Sequence, residues 1–313
     1  MNLSFLFVLT NLAGLFIIAA IGYVFTKAGV FDRSHVSIFS ALLLKLALPC
    51  TIFTSLVSGE YDPKFIHDSL IIISIGMIAF PVLLIFSEFI AKFMGVPVGS
   101  RGTWAFCSTF SNSGFIGFPI ALRLFGAEGL LLAVMFNIAF NIYIYTMGAI
   151  VISHDSTEKH EHMNLKSILF SNINLALILS LVFYFGRIPV HEIIMTPLKY
   201  LSDITTPLSM VIIGIALGIS SGKDFLTDIN AWTSNLMRLV IYPVATCFIL
   251  KLLPIDNILI SAVVVVIMAM PVAGVSSTMA EIYHGDLNLV AKITFISNIA
   301  CIITIPLVCM LIG

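Results

Sequence analysis

The sequence predicts an all-α membrane protein of ten transmembrane helices, built as two five-helix repeats of opposite orientation, with spans four and nine broken in their centres. Three observations predict it. The chain is too oily to be covered by its own polar residues. Its apolar residues fall into ten runs of roughly membrane-spanning length. Two of those runs, at matching places in the two halves, are interrupted by small residues and proline.

The 313 residues are 59% hydrophobic and 10% charged, with a mean hydropathy of +1.11 and a net charge of −1. Ordinary soluble domains carry about 25% charged residues, so lipid must be the solvent here. The near-zero net charge leaves no basic stripe for nucleic acid. The five cysteines (Cys50, Cys107, Cys247, Cys301, Cys309) lie in apolar runs with no C-x-x-C pair, which predicts free buried thiols. No Lys or Arg precedes the first apolar run, so that run reads as a membrane span and not as a cleaved signal. G-x-S-x-G, H-E-x-x-H and Walker A patterns are missing, as are dyads or carboxylate pairs within spans, which argues against an enzyme.

In chain order the predicted spans are 5–26, 36–58, 68–92, 101–123, 128–152, 167–187, 197–220, 230–253, 256–281 and 287–312. Connections are short. The longest polar one, SHDSTEKHEHMNLK at 153–166, divides the chain into a first repeat (1–152) and a second (167–313). Odd-numbered connections carry Lys27, Arg33, Lys92, Arg101, Lys159, Lys166, Lys223 and Lys292; even-numbered ones carry Lys64, Arg123, Arg187, Lys199 and Lys251. Eight against five places the odd connections, the 153–166 connector included, in the cytoplasm and both termini outside the inner (plasma) membrane.

The halves echo each other in a fixed order. NLA at 11–13 recurs at 174–176. Lys45 precedes Pro49 by four residues, as Asp203 precedes Pro207. FPV at 80–82 matches YPV at 242–244. RLFGAE closes span four, and EIYHGD closes span nine. Because five is odd, the second half must enter the membrane from the opposite side, the plan of many secondary transporters.

Span four contains SNSGFIGFP at 111–119, and span nine contains MPVAGVSST at 270–278. Pro119 and Pro271 lack an N–H, and Gly114 and Gly117 let the backbone leave helical geometry. Unpaired backbone groups are costly in hydrocarbon, so such breaks survive only where protein, water or ligand satisfies them. Helix halves beginning near Phe115 and Ser276 would aim N–H groups at the midplane, which suits a carboxylate. Asn112, Ser113, Gly114, Gly274, Ser276 and Ser277 are the expected contacts.

N-S-G-F-I-G-F-P resembles the N-x-x-x-x-G-x-P signature of the auxin efflux carrier family, which includes plant PIN transporters and bacterial malate or malonate permeases. MPVAGVSSTMAEIYHGD resembles that family's span-nine stretch, and the likeness covers the whole chain. It implies a fold similar to the bile-acid sodium symporters, with spans four and nine crossing where they unwind. It also implies a dimerising panel of spans one, two, six and seven, and a mobile core of spans three to five and eight to ten. One departure stands out: PIN-type members carry proline in both crossing segments, and Ser276 fills that place in the second one here.

Other intramembrane polar residues extend the expected site. Asn137 and Asn141 share one face of span five, and Asn298 sits in the matching part of span ten. Each either bonds across helices or lines the substrate path. Lys45 must face a cavity or a partner; pairing with Asp203 is the first expectation, positive potential for an anion the second. Arg238 is expected to snorkel to the interface, and Glu281 to end span nine in water. The histidines His154, His160 and His162 read as part of a solvated connector. The chain is thus expected to carry small mono- or dicarboxylates by secondary transport, without a resident cofactor or metal. Na⁺ or H⁺ coupling is the alternative.

Overall fold

The computed structural model describes residues 5–58, 64–155, 172–219 and 226–312. Among them every regular element is a helix. These are α1 (Phe5–Lys27), α2 (Arg33–Val57), α3 (Phe65–Phe93), α4 (Arg101–Thr109), α5 (113–125), α6 (127–153), α7 (Asn172–Gly186), α8 (Glu192–Ile219), α9 (Ile229–Leu252), α10 (Ile258–Met268), α11 (Ser276–Ile282) and α12 (Leu287–Cys309). The predicted span-four range holds the pair α4 and α5, the span-nine range the pair α10 and α11, and each other range a single helix. Among the described residues six helical segments are long and apolar enough to cross a membrane. Residues 156–166 of the predicted connector, with His160 and His162, and the start of predicted span six lie outside the described residues.

Proline shapes three of these helices in one way. Pro49, Pro119 and Pro243 each follow by two residues a widened, π-helical turn: Leu43–Ala47, Ser113–Gly117 and Met237–Ile241. A proline cannot donate to the carbonyl four residues back, and its ring crowds that carbonyl. The residue before each proline instead donates five residues back: Leu48 to Leu43, Phe118 to Ser113 and Tyr242 to Met237. The helix continues with one looser turn. The turn from α5 to α6 is made by Gly126, whose φ of 70° suits glycine.

The two elements that lead into the breaks are the most enclosed. Every residue of α4 from Gly102 to Thr109 is buried, as are Ala262 to Met268 of α10. α3 flanks α4, and α9 flanks α10, while α3 turns Ile78, Val82, Ile85 and Phe89 outward. Protein thus stands between the breaks and lipid, which a broken backbone requires. α10 is rich in valine, a residue of modest helix propensity. The helix forms because only internal hydrogen bonds are on offer in that setting.

α1 packs along α8, and α2 against α7 and the first half of α8. The α1–α8 contact runs through small residues. A Cβ on Gly214 would stand 2.0 Å from the Ala19 carbonyl oxygen, and one on Gly22 would stand 2.6 Å from the Val211 carbonyl oxygen. Backbones approach this closely only without side chains. Gly214→Val should therefore separate the helices and lower stability by about 1–3 kcal/mol or more. Gly14→Ala, where a Cβ meets nothing within 4 Å, should be neutral or mildly stabilising. Heating detergent-solubilised variants and reading the monodisperse fraction separates the two outcomes.

Asp155 is not a solvated connector residue. Its two carboxylate oxygens accept from the N–H groups of Gly102 and Thr103, both at 2.7 Å, and so cap α4 from the far end of α6. Burial pushes its carboxyl upward, against the pull of those hydrogen bonds. His154, its neighbour, lies 3.0 Å from Glu88. All five cysteines are free and buried.

Candidate functional site

The two interrupted segments meet. Asn112 N–H donates to the Pro271 carbonyl at 2.7 Å, and Ala273 N–H donates to the Phe110 carbonyl at 2.9 Å. Ser111 and Val272 form an isolated antiparallel bridge. Each break thus satisfies part of the other's backbone, a two-rung sheet fragment where no helix can continue. Val272 N–H donates to Ser297 Oγ of α12 at 2.9 Å, which ties the junction to a neighbouring helix. Gly117 is helical, and it matters by close packing: a Cβ there would lie 2.7 Å from Ile267 Cδ1. The expectation that it opens the backbone is corrected. Pro119, buried, sits just past the π-helical turn described above.

A cavity of 340 Å³ opens at the junction. Ser111–Phe115 and Ala273–Val275 form one wall, with Leu44 and Lys45 from α2, Asn137, Phe140, Asn141 and Tyr145 from α6, and Asn172 and Ile173 from α7. Asn112 Oδ1 accepts from Phe115 N–H at 3.1 Å, so it caps α5, and that N–H is not free for a ligand as expected. Ser113 Oγ donates to Asn137 Oδ1 at 2.6 Å. With both amide oxygens engaged, the amide nitrogens of Asn112 and Asn137 are the donors that these two lining residues have left. Gly114 has open space where a Cβ would point, and at Gly274 a Cβ would press on the Phe115 ring at 3.1 Å. Among the lining residues Lys45 carries the one fixed charge, and no carboxylate is present. Phe115, Phe140, Tyr145 and Ile173 supply an apolar surround.

Behind the junction stands Arg238 of α9. It is 0% exposed, the one charged side chain buried among the described residues. Nη1 donates to the Thr109 carbonyl at 2.5 Å and lies 3.4 Å from that of Ser108; Nη2 donates to the Met268 carbonyl. These are the last carbonyls of α4 and α10, the groups a helix C-terminus leaves unpaired. Ser234 and Tyr242, four residues to either side on the same face of α9, complete the attachment. Ser234 Oγ is 2.9 Å from Ser108 Oγ, and Tyr242 Oη reaches Ser87 Oγ, itself 2.9 Å from Thr109 Oγ1. The expected snorkelling is corrected: the buried end carbonyls of two helices hold the guanidinium in the interior.

The arrangement invites comparison with known chains. The family model described as membrane transport protein matches residues 7–309. The chain belongs to the membrane transport protein family. An uncharacterized transporter of Methanothermobacter thermautotrophicus is 26% identical over 291 residues, which cover 93% of this chain and 94% of the relative. An uncharacterized transporter of Methanocaldococcus jannaschii is 25% identical over 304 residues, with the same coverage. The resemblance to auxin efflux carriers agrees with this membership.

Within this family member, Asn112, Ser113, Gly114, Asn137, Asn141 and Gly274 share one cavity. Ser276, buried, and Ser277, exposed, do not line it, because Ala273 to Ser276 turn into α11 and carry both away. Asn298 lines a second cavity, of 210 Å³, between α1, α8 and α12. Lys45 and Asp203 form no ion pair; both are exposed, and Lys45 faces the first cavity. Glu281 is exposed. No group of three or more His, Cys, Asp or Glu among the described residues is placed to hold a metal ion. Sequence reasoning overlooked Tyr145 and Asn172. The first was legible, since Asn137, Asn141 and Tyr145 form one row at spacing four. Asn172, whose Nδ2 is 3.3 Å from the Lys45 carbonyl oxygen, gave no such signal.

Proposed function

We propose that this transporter is secondary-active and carries small organic anions, mono- or dicarboxylates of malate, malonate or auxin type. The observation that carries the reading is the cavity at the meeting of the two breaks: amide donors, one lysine, no carboxylate, and an apolar surround. A carboxylate would accept from Asn112, Asn137 and Asn141 and face Lys45, while its organic body rests on Phe115, Phe140 and Tyr145.

The inverted repeat and its division into panel and core belong to this reading. Several observations support them. The bridge between the two breaks is antiparallel. α1 on α8 and α7 on α2 are the same contact with the halves exchanged, as are α3 on α4 and α9 on α10. The two cavities are likewise exchanged: Asn137, Phe140 and Asn141 of the first correspond in register to Asn298, Cys301 and Ile302 of the second. One cavity would be the open face of the site and the other its closed counterpart, which is the arrangement alternating access requires. Lys45 belongs to the panel and the amides to the core, so sliding of the core would withdraw the anion from the lysine. The chain would act as a homodimer through its panel, in the inner (plasma) membrane, with both termini outside. Na⁺- or H⁺-coupled transport of another cargo is the second reading, since the C-terminal end of a broken helix is a common seat for a coupling ion.

A thermal-stability screen of the purified protein tests the substrate class. Carboxylates of the right size should raise the unfolding midpoint in a concentration-dependent way, and their uncharged amides should not. Stabilisation by amides or amines alone would exclude the anion reading.

A further inference from the structure

Arg238 does more than fill a gap between helices. Its guanidinium joins the C-terminal carbonyls of both half-helices that enter the junction. Those carbonyls carry the negative ends of two helix dipoles, the natural seat of a cation at a broken helix. The remaining carbonyls nearby are largely committed as well: Phe110 to Ala273, Pro271 to Asn112, Ser111 to Ser113, Asn112 to Gly117 and Ala273 to Ser276. An alkali ion entering here finds its ligands taken and a fixed positive charge beside it. The repeat is unsymmetrical at this point. The FPV/YPV match places Gly76 opposite Arg238, and a Cβ on Gly76 would already stand 2.8 Å from the Ala139 side chain. One arginine therefore serves both half-helices. Thr109, which it grips, is three residues from Asn112 at the cavity wall, at most about 11 Å along the chain.

We propose that the Arg238 guanidinium is a tethered counter-cation of the junction, standing where a coupling ion would bind, so that the site takes an anion with no co-bound alkali cation. The inference rests on the reading that an anion binds at this junction. It also specifies the coupling: the positive charge that balances a carboxylate belongs to the protein and is never released.

The test needs no carboxylate. Full-length protein in detergent is heated in NaCl, KCl and choline chloride at equal ionic strength. The wild type and Arg238→Lys should each unfold at one temperature in all three salts. Arg238→Ala should unfold earlier, and methylguanidinium chloride, compared with its effect on the wild type, should restore part of the loss. Should Arg238→Ala fail to fold, the wild type and Arg238→Lys still decide the matter. A sodium-specific rise of several degrees in the wild type would overturn the proposal, as would an Arg238→Ala protein that unfolds with the wild type. Either result leaves the carboxylate reading intact, and failure of that reading in flux assays leaves the absence of a sodium site untouched.

Discussion

Arg238→Met should cost this protein about 3–5 kcal/mol of stability. The side chain is fully buried and its two terminal nitrogens serve the carbonyls of Ser108, Thr109 and Met268. Methionine fills much of the volume but donates nothing, so those carbonyls stay dehydrated and unpaired at roughly 1–3 kcal/mol apiece, with partial relief by relaxation. The loss falls where α4 and α10 end, so it should also loosen the junction between the breaks. An unfolding midpoint lower by on the order of 10 °C is expected. Arg238→Lys keeps a charge but has no fork to span two helices, and should fall between. A midpoint for Arg238→Met within a degree or two of wild type would mean that these carbonyls find other donors.

Lys45→Met should weaken carboxylate binding by about 10–100-fold and leave stability nearly unchanged. Lys45 is exposed, lines the cavity and forms no ion pair, so folding gains little from its charge. A carboxylate within about 4 Å of it would gain up to ~4 kcal/mol at a near-surface dielectric, reduced by desolvation of both charges. Lys45→Arg should retain most of the affinity. Titrating a stabilising carboxylate against each variant by thermal shift measures the ratio directly, and equal dissociation constants would remove Lys45 from the site.

Much of this molecule was legible in the sequence because hydrocarbon leaves the backbone few options. Apolar runs of about 20 residues must be helices there, and the predicted ranges differ from the observed ends by five residues at most where both are described, the largest difference being at Glu192. The breaks were legible because SNSGFIGFP and MPVAGVSST contradict their oily surroundings at matching positions. The distribution of labour within them was not. Gly117 was expected to loosen the chain, and it serves to admit Ile267. Asn112 was expected to be a pure ligand contact, and its carboxamide oxygen and backbone are both committed to the fold. The fates of Lys45 and Arg238 were exchanged for a physical reason: a charge in a span is either paired or hydrated, and only the tertiary arrangement says which. Arg238 found carbonyls from helices 129 and 30 residues away in sequence, contacts that no local pattern encodes.

The central claim is that a carboxylate is carried through the cavity where the two breaks meet. Uptake of radiolabelled malonate, malate and indole-3-acetate into proteoliposomes tests it most directly, with wild type, Lys45→Met and Asn137→Ala compared at equal incorporation. At least one of the three anions should be taken up by the wild type, and both variants should reduce that flux by about tenfold or more. Wild-type rates in both variants would contradict the account, as would a wild type that moves none of these anions while moving a neutral or cationic solute.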